Sequence, residues 1–310
     1  MITIFKTTKD GLTQTSEFEK GCWVNLTEPT KEEINIITDK LHVPLDFLTD
    51  PLDIEERARV EVEDSIALIV LRIPKFEGDT AEINFTTMPF GIIFTKDLFI
   101  TICQKDTDII EDFIKGNVKK FSTKQKNHFM LQFFLRTSLM YLKYLKEINK
   151  KTNTTEKELH KAMKNEELIQ LLNIEKSLVF FTTSLKSNEL MLERLQKLNY
   201  FQFSEVDKDL IEDVSIEYKQ ALEMANVYSN ILSGMMDAFA SVISNNLNVI
   251  LKFLTSVTII LMIPTLIASI YGMNVELPLQ DSIDAFLIIM ILSFILSLIG
   301  ILIFWKRKWF

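Results

Sequence analysis

The chain has 310 residues, a formal net charge of −8 and an apolar fraction of 47%. That length suffices for one or two soluble domains with real cores, and the acidic balance argues against nucleic acid as a partner. The apolar content is ordinary in amount but piled up after Phe253, so the question the totals raise is a membrane.

The first residues, MITIFKTTKDGL, carry no apolar core of signal-peptide length, so cleavage or export of the N-terminus is not expected. Downstream, ITIFKT, CWVNL, SIALIVLRI, EINFTTMPFGIIFT and LFITICQ are rich in Ile, Val, Phe and Thr and predict strands. KEEINIITDKL and PLDFLTDPL predict short helices between them. Residues 1–125 therefore predict a mixed α/β domain. It has no glycine-rich phosphate loop, nucleophile elbow or zincin motif, so nothing in it argues for an enzyme. Cys22 and Cys103 are far apart in a chain too large to need a staple, and are expected to be reduced, buried thiols. His42, His128 and His160 are scattered without ligand spacing and read as ordinary surface or core residues.

Residues 126–203 predict an amphipathic helical pair, over 126–150 and 166–198, joined by a polar connection or helical tip. Residues 204–252 predict a long stalk helix. Val214, Tyr218, Ala221, Ala225, Tyr228, Leu232, Met235, Phe239 and Val242 alternate steps of four and three, a coiled-coil-like seam. A helix from about residue 207 to residue 271 would be about 97 Å long.

Residues 253–271 (FLTSVTIILMIPTLIASIY) and 285–305 (AFLIIMILSFILSLIGILIFW) contain no charge. Each is long enough to cross a hydrocarbon core of about 30 Å as a helix. Lys252 precedes the first, and a basic tail over 306–310 follows the second. The 272–284 link has no Lys or Arg and holds Glu276, Asp281 and Asp284. The bias toward cytoplasmic Lys and Arg places both ends in the cytoplasm and this loop outside, with Trp305 and Trp309 at the inner interface and Tyr271 at the outer. The second span reads as Leu, Ile and Phe nearly all round, suiting a lipid-facing helix. The first carries a stripe of its own: Asn248, Leu251, Leu254, Thr258, Met262, Thr265, Ser269 and Met273 recur at helical steps. Such a stripe serves either close helix packing or the wall of a water-filled path. Pro264, mid-span, predicts a bend or a weak point in the hydrogen-bond ladder.

A C-terminal two-span hairpin, a long helix feeding its first span, YGMN at the outer end and a tail ending KRKWF together resemble the CorA family of magnesium transporters. The triplet Gly272, Met273 and Asn274 is that family's signature, specific because of its place just after the penultimate span. LSGMMDAFASVISNNLNVILKFLT, CWVNLTEPT and LTDPLDIEERARVEVED also look like family segments, so the resemblance runs through essentially the whole chain.

The resemblance implies a funnel-shaped homopentamer in the lipid bilayer, the plasma membrane of a bacterium. Its cytoplasmic α/β N-terminal domains would lead by stalk helices to two transmembrane helices each, with five first spans lining one pore. It implies channel-like magnesium uptake down the membrane potential, with no organic cofactor. Gly272, Met273 and Asn274 would form the selectivity filter, holding a hydrated divalent cation through neutral oxygens; Gly272 would also let the backbone turn as the helix ends. Asn248, Leu251, Leu254, Thr258, Met262, Thr265 and Ser269 would line the pore, with Leu251 and Leu254 as its hydrophobic constriction. Glu276, Asp281 and Asp284 would ring the entrance and concentrate cations. Asp50 and Asp213 match the family's acidic sensor pair, through which intracellular magnesium held between neighbouring cytoplasmic domains closes the pore; Glu212 and Asp209 lie close to the second. Two departures stand out: Pro264 sits one place later relative to YGMN, and Leu251 replaces a more usual Met. They leave the pore register near Met262 and Thr265 open by one residue. Transport of zinc, cobalt or nickel is the alternative within the family, although there is no His/Cys cluster to mark zinc. A membrane-anchored coiled-coil scaffold is the alternative outside it.

Overall fold

The structure, a computed structural model, describes residues 1–9, 11–118, 121–162, 165–279, 283–307 and 309, with 160–162 and 165 as backbone only. The chain divides into two units, 1–234 and 235–310. In the first, seven strands form one sheet: β1 (Ile2–Thr8), β2 (Gly11–Thr15), β3 (Trp23–Thr27), β4 (Arg59–Glu63), β5 (Ile66–Phe76), β6 (Phe85–Phe94) and β7 (Phe99–Cys103). Their spatial order is β2-β1-β3-β7-β6-β5-β4. Only β3 and β7 pair in parallel, Trp23 opposite Phe99 and Leu26 opposite Ile102.

All five stretches read as strands are strands. The two overlooked ones, GLTQT and RVEVE, are the edges of the sheet. Edge strands carry polar residues and lack the apolar run of a strand buried on both faces, so their composition hides them. The short α3 (Asp108–Ile114), capped at its start by the Thr107 side chain, was also overlooked.

Alternation along the strands feeds two cores. On one face, Val24, Leu26, Ile100 and Ile102 pack with Ile37, Val43, Phe47 and Leu48, from α1 (Lys31–Leu41) and α2 (Leu45–Thr49) with their link. Helix α1 starts at Thr30, whose hydroxyl accepts from the Glu33 amide while Glu33 reaches back to the Thr30 amide. On the other face, fully buried Trp23 meets Phe113 and, from α4 (Lys126–Ala162), Phe129 and Phe133, with ring centroids 5.3–6.2 Å away. Its indole N–H donates to Thr101 Oγ1 at 2.7 Å, and Thr101 donates onward to Asn25 Oδ1 at 2.8 Å. Every polar atom that the tryptophan brings into the core is thereby paired. Cys22 and Cys103 are free and buried in these layers, and burial pushes the Cys103 thiol up to about 12, so it stays neutral.

Helix α4 runs well past the predicted end, through the polar TNTTEKELHKA, which contains no Gly or Pro to stop it. Helix α5 (Asn165–Lys197) returns alongside and reaches the sheet. Beyond Val70 no strand among the described residues covers that side of β5. The Asn188 side chain takes the place of one, accepting from the Arg72 amide at 2.9 Å and donating to the Arg72 carbonyl at 2.7 Å. Helix α6 (Glu205–Tyr271) is continuous over 67 residues. Its start is fixed by reciprocal bonds between Ser204 and Asp207, by His128 Nδ1 at 3.2 Å from Asp207 Oδ1, and by Asn127 donating to the Gln202 carbonyl at 2.9 Å.

One close approach sets the place of the Asp50 turn. After α2 the chain makes a 3-10 turn over Asp50–Leu52 and lays buried Pro51 on Gly91 of β6. A Cβ at Gly91 would sit 2.6 Å from Pro51 Cγ and 2.6 Å from Ile102 Cγ2. Gly91→Ala is therefore expected to cost about 1–3 kcal/mol, read as a lower unfolding midpoint of the full-length protein. An unchanged midpoint would mean that the Pro51 turn yields without cost.

Candidate functional site

In the second unit, the C-terminal part of α6 and helix α7 (Ala285–Lys306) are long and apolar enough to cross a membrane. Along α6 from Phe253 onward the residues withdrawn from the surface are Ser256, Val257, Ile260, Ile263, Ile267 and Tyr271. Along α7 they are Ala285, Ile289, Ser293, Ser297, Gly300 and Phe304. A Cβ at Gly300 would lie 3.4 Å from Ile263 Cδ1 and 3.8 Å from Ile260 Cγ1. The hairpin thus turns a run of mostly small residues on α7 toward α6, and at Gly300 the missing side chain leaves room for Ile263 and Ile260. The sequence reading took this span as Leu, Ile and Phe nearly all round. Its signal was Ala, Ser, Ser and Gly at steps of eight, four and three.

The predicted stripe lies elsewhere on α6. Asn248, Leu251, Leu254, Thr258, Met262, Thr265, Ser269 and Met273 are all exposed, Met262 by 63% against 0% for Ser256. Met262 is two residues from Ile260, and Thr265 is two residues from both Ile263 and Ile267, each about 200° around the helix, so the stripe faces away from α7. Thr258 donates its hydroxyl proton to the Leu254 carbonyl at 2.8 Å, and Thr265 to the Leu261 carbonyl at 3.1 Å. With the proton committed to the backbone, each hydroxyl oxygen offers only lone pairs to a visitor. Water around a cation presents its hydrogens outward, and such oxygens match it. Pro264 sits inside α6 without ending it.

The helix ends at the triplet. Gly272 N–H still donates to the Ala268 carbonyl at 2.9 Å, and Met273 N–H reaches the Ile270 carbonyl at 3.1 Å, a tighter last turn. The chain leaves the helix here without Gly272 taking the left-handed backbone of a glycine cap. A Cβ there would come 3.3 Å from the Ala268 carbonyl oxygen, a spacing that the last helical turn accommodates. Asn274 is exposed just beyond, and the Tyr271 hydroxyl donates to the Pro278 carbonyl at 3.4 Å, closing the loop behind it. Glu276 and Asp284 are exposed; Asp281 lies outside the described residues, as does Lys308 of the basic tail.

The two carboxylates matched to a sensor belong to the first unit. Asp213 is exposed on α6, with Asp209 and Glu212 beside it. Asp50 Oδ2 accepts from Arg59 Nη2 at 2.7 Å. Arg59 also holds Glu56, and Glu61 at 3.2 Å. The Arg72 guanidinium ties the same segment to the sheet, donating to the Ile54 carbonyl at 2.6 Å and the Glu56 carbonyl at 2.9 Å. Among the described residues, no group of three or more His, Cys, Asp and Glu within one chain is placed to hold a metal ion. The ion pair on Asp50 was not foreseen, and nothing in the spacing of Asp50 and Arg59 announces it.

These features define a membrane protein in which one helix starts in an α/β domain and ends as the first of two spans, at a Gly-Met-Asn turn. The profile of the family described as CorA-like Mg2+ transporter protein matches residues 18–308, and the chain belongs to that family. It is 28% identical, over the full length of both chains, to the cobalt/magnesium transport protein CorA of Methanocaldococcus jannaschii. It is 21% identical to the protein of the same name from Thermotoga maritima, over 93% of this chain and 83% of that one. The complete structure of the M. jannaschii magnesium transporter superposes with a TM-score of 0.87 at 25% identity, covering 100% of this chain and 99% of that one. The ZntB cytoplasmic domain from Vibrio parahaemolyticus shares the fold, with a TM-score of 0.60 at 13% identity over 79% of this chain and 96% of its own. The chain is thus a member of a transporter family for divalent cations and not an enzyme.

Proposed function

We propose that this protein is a channel-like magnesium transporter that admits the hydrated ion down the membrane potential. Five copies arrange the first spans around one axis in the plasma membrane, with both termini in the cytoplasm and the 272–284 loop outside. The observation that carries the reading is the unspent stripe on α6. It runs from Asn248 to Met273, exposed, on the face opposite the contact with α7. An anchor needs no such face, whereas a pore wall does.

Magnesium prefers oxygen ligands and gives up its water reluctantly. Asn274 amides, with Gly272 and Met273 beside them, supply neutral oxygens at the mouth, and Thr258, Thr265 and Ser269 continue them inward. Neutral acceptors hold a hydrated ion loosely enough to release it. Glu276, Asp281 and Asp284 raise the local cation concentration. Leu251 and Leu254 form the apolar constriction where loss of water stops conduction. Closure follows when intracellular magnesium is shared by Asp50 of one subunit and Asp213 of the next, drawing the soluble units together.

The test is flux into liposomes loaded with a magnesium-sensitive dye under an inside-negative potential. Rapid magnesium influx, dependent on that potential, is the expected result. Influx of zinc with none of magnesium would replace the ion assignment, and no divalent flux under any condition would leave a membrane-anchored scaffold.

A further inference from the structure

We propose that Arg59 is a built-in competitor for the regulatory ion: its guanidinium holds Asp50 Oδ2 when magnesium is absent and competes with the ion for that carboxylate. The proposal rests on the reading of Asp50 as a regulatory carboxylate. What it adds is the residue that sets the concentration at which that carboxylate responds.

The geometry is local and fixed. Asp50 opens a 3-10 turn whose next residue, Pro51, is buried against Gly91, so the backbone that carries the carboxylate is anchored. Arg59 stands at the start of edge strand β4, which holds its Cα relative to the sheet through pairing with Val70. Its fork meets three carboxylates, Asp50, Glu56 and Glu61. With the Arg72 guanidinium on the same segment, three negative charges stand against two positive ones, which leaves the cluster acidic by one, so a divalent cation is still drawn to it. Arg59 also keeps two partners when it gives up Asp50. Displacement is then a small rearrangement rather than the exposure of an unpaired charge.

Both consequences of the arginine run in one direction. For Oδ2 to hold the ion, Asp50 exchanges an existing charge-assisted hydrogen bond for it. The guanidinium, still nearby after displacement, repels the incoming charge. The affinity of a divalent site follows the charge count of its ligands, and Arg59 lowers that count at this site.

Full-length protein in detergent micelles would be titrated with magnesium, with protection against chymotrypsin as the readout, for wild type, Arg59→Gln, Arg59→Lys and Asp50→Asn. Arg59→Gln is expected to lower the midpoint by roughly three- to tenfold, the worth of a partly exposed ion-pair network. Arg59→Lys, which keeps the charge without the fork, should fall between the two. An unchanged or raised midpoint in Arg59→Gln overturns the proposal, the raised one making Arg59 a positioning residue for Asp50. Should Arg59→Gln prove unfolded by circular dichroism, Arg59→Lys decides: a midpoint equal to or above wild type overturns the proposal equally. Asp50→Asn separates the levels. If it retains the wild-type midpoint, the regulatory reading of Asp50 fails and this inference with it. If it loses protection while Arg59→Gln matches wild type, only the competitor role falls.

Discussion

Asn274→Ala is expected to reduce magnesium influx by about a hundredfold while leaving the protein folded and in the membrane. The two halves of this expectation have separate causes. Asn274 is exposed beyond the last turn of α6, and the loop behind it is closed by the Tyr271 hydroxyl on the Pro278 carbonyl. Truncating an exposed side chain opens no cavity, so stability should move by no more than about 0.5 kcal/mol. Transport should respond fivefold over, because one substitution removes an amide from every subunit of the proposed ring. If each amide contributes about 0.5–1 kcal/mol toward holding the hydrated ion, five together amount to a factor of about a hundred or more. Dye-loaded liposomes carrying equal amounts of wild-type and variant protein make the measurement. A variant rate within a few-fold of wild type would remove Asn274 from the filter and shift attention to the oxygens at Ser269 and Thr265.

The second large effect is structural. Trp23→Ala is expected to cost about 3–5 kcal/mol, the range for a fully buried aromatic side chain. Trp23 is 0% exposed, with its ring 5.0 Å from Phe5 and 5.3 Å from Phe129 by centroid. Truncation would empty the centre of that cluster and also leave Thr101 without its indole donor. Calorimetry or circular dichroism of the full-length protein should show the soluble unit unfolding lower by roughly ten degrees. A fall of only a degree or two would mean that the aromatic cluster closes over the gap.

Much of this was legible in the sequence, for reasons that can be named. IALIVLRI reads as a strand because β5 is buried on both faces and needs no alternation. The two spans are legible because hydrocarbon admits so few residue types. The stripe on α6 is legible because a helix repeats every three or four residues whatever surrounds it. The triplet became meaningful only through resemblance to a family, since Gly-Met-Asn alone carries no chemistry that demands a pore. What stayed hidden depends on contacts distant in sequence or on positions where residue type says little. GLTQT and RVEVE, as sheet edges, look like loop. The small residues of α7 are diluted among Leu and Ile. Gly272 was expected where the backbone turns, and only the structure shows that it does so without a left-handed conformation. The tie between Asp50 and Arg59 spans a loop that follows no repeat.

The membrane part of α6 carries its two faces half a turn apart, one spent on α7 and one left open. Residues at 256, 260, 263 and 267 are withdrawn from the surface on the side turned to α7. Residues at 254, 258, 262, 265 and 269 are exposed on the opposite side. A substitution on the open side therefore changes the chemistry of that surface without disturbing how the hairpin assembles on the other.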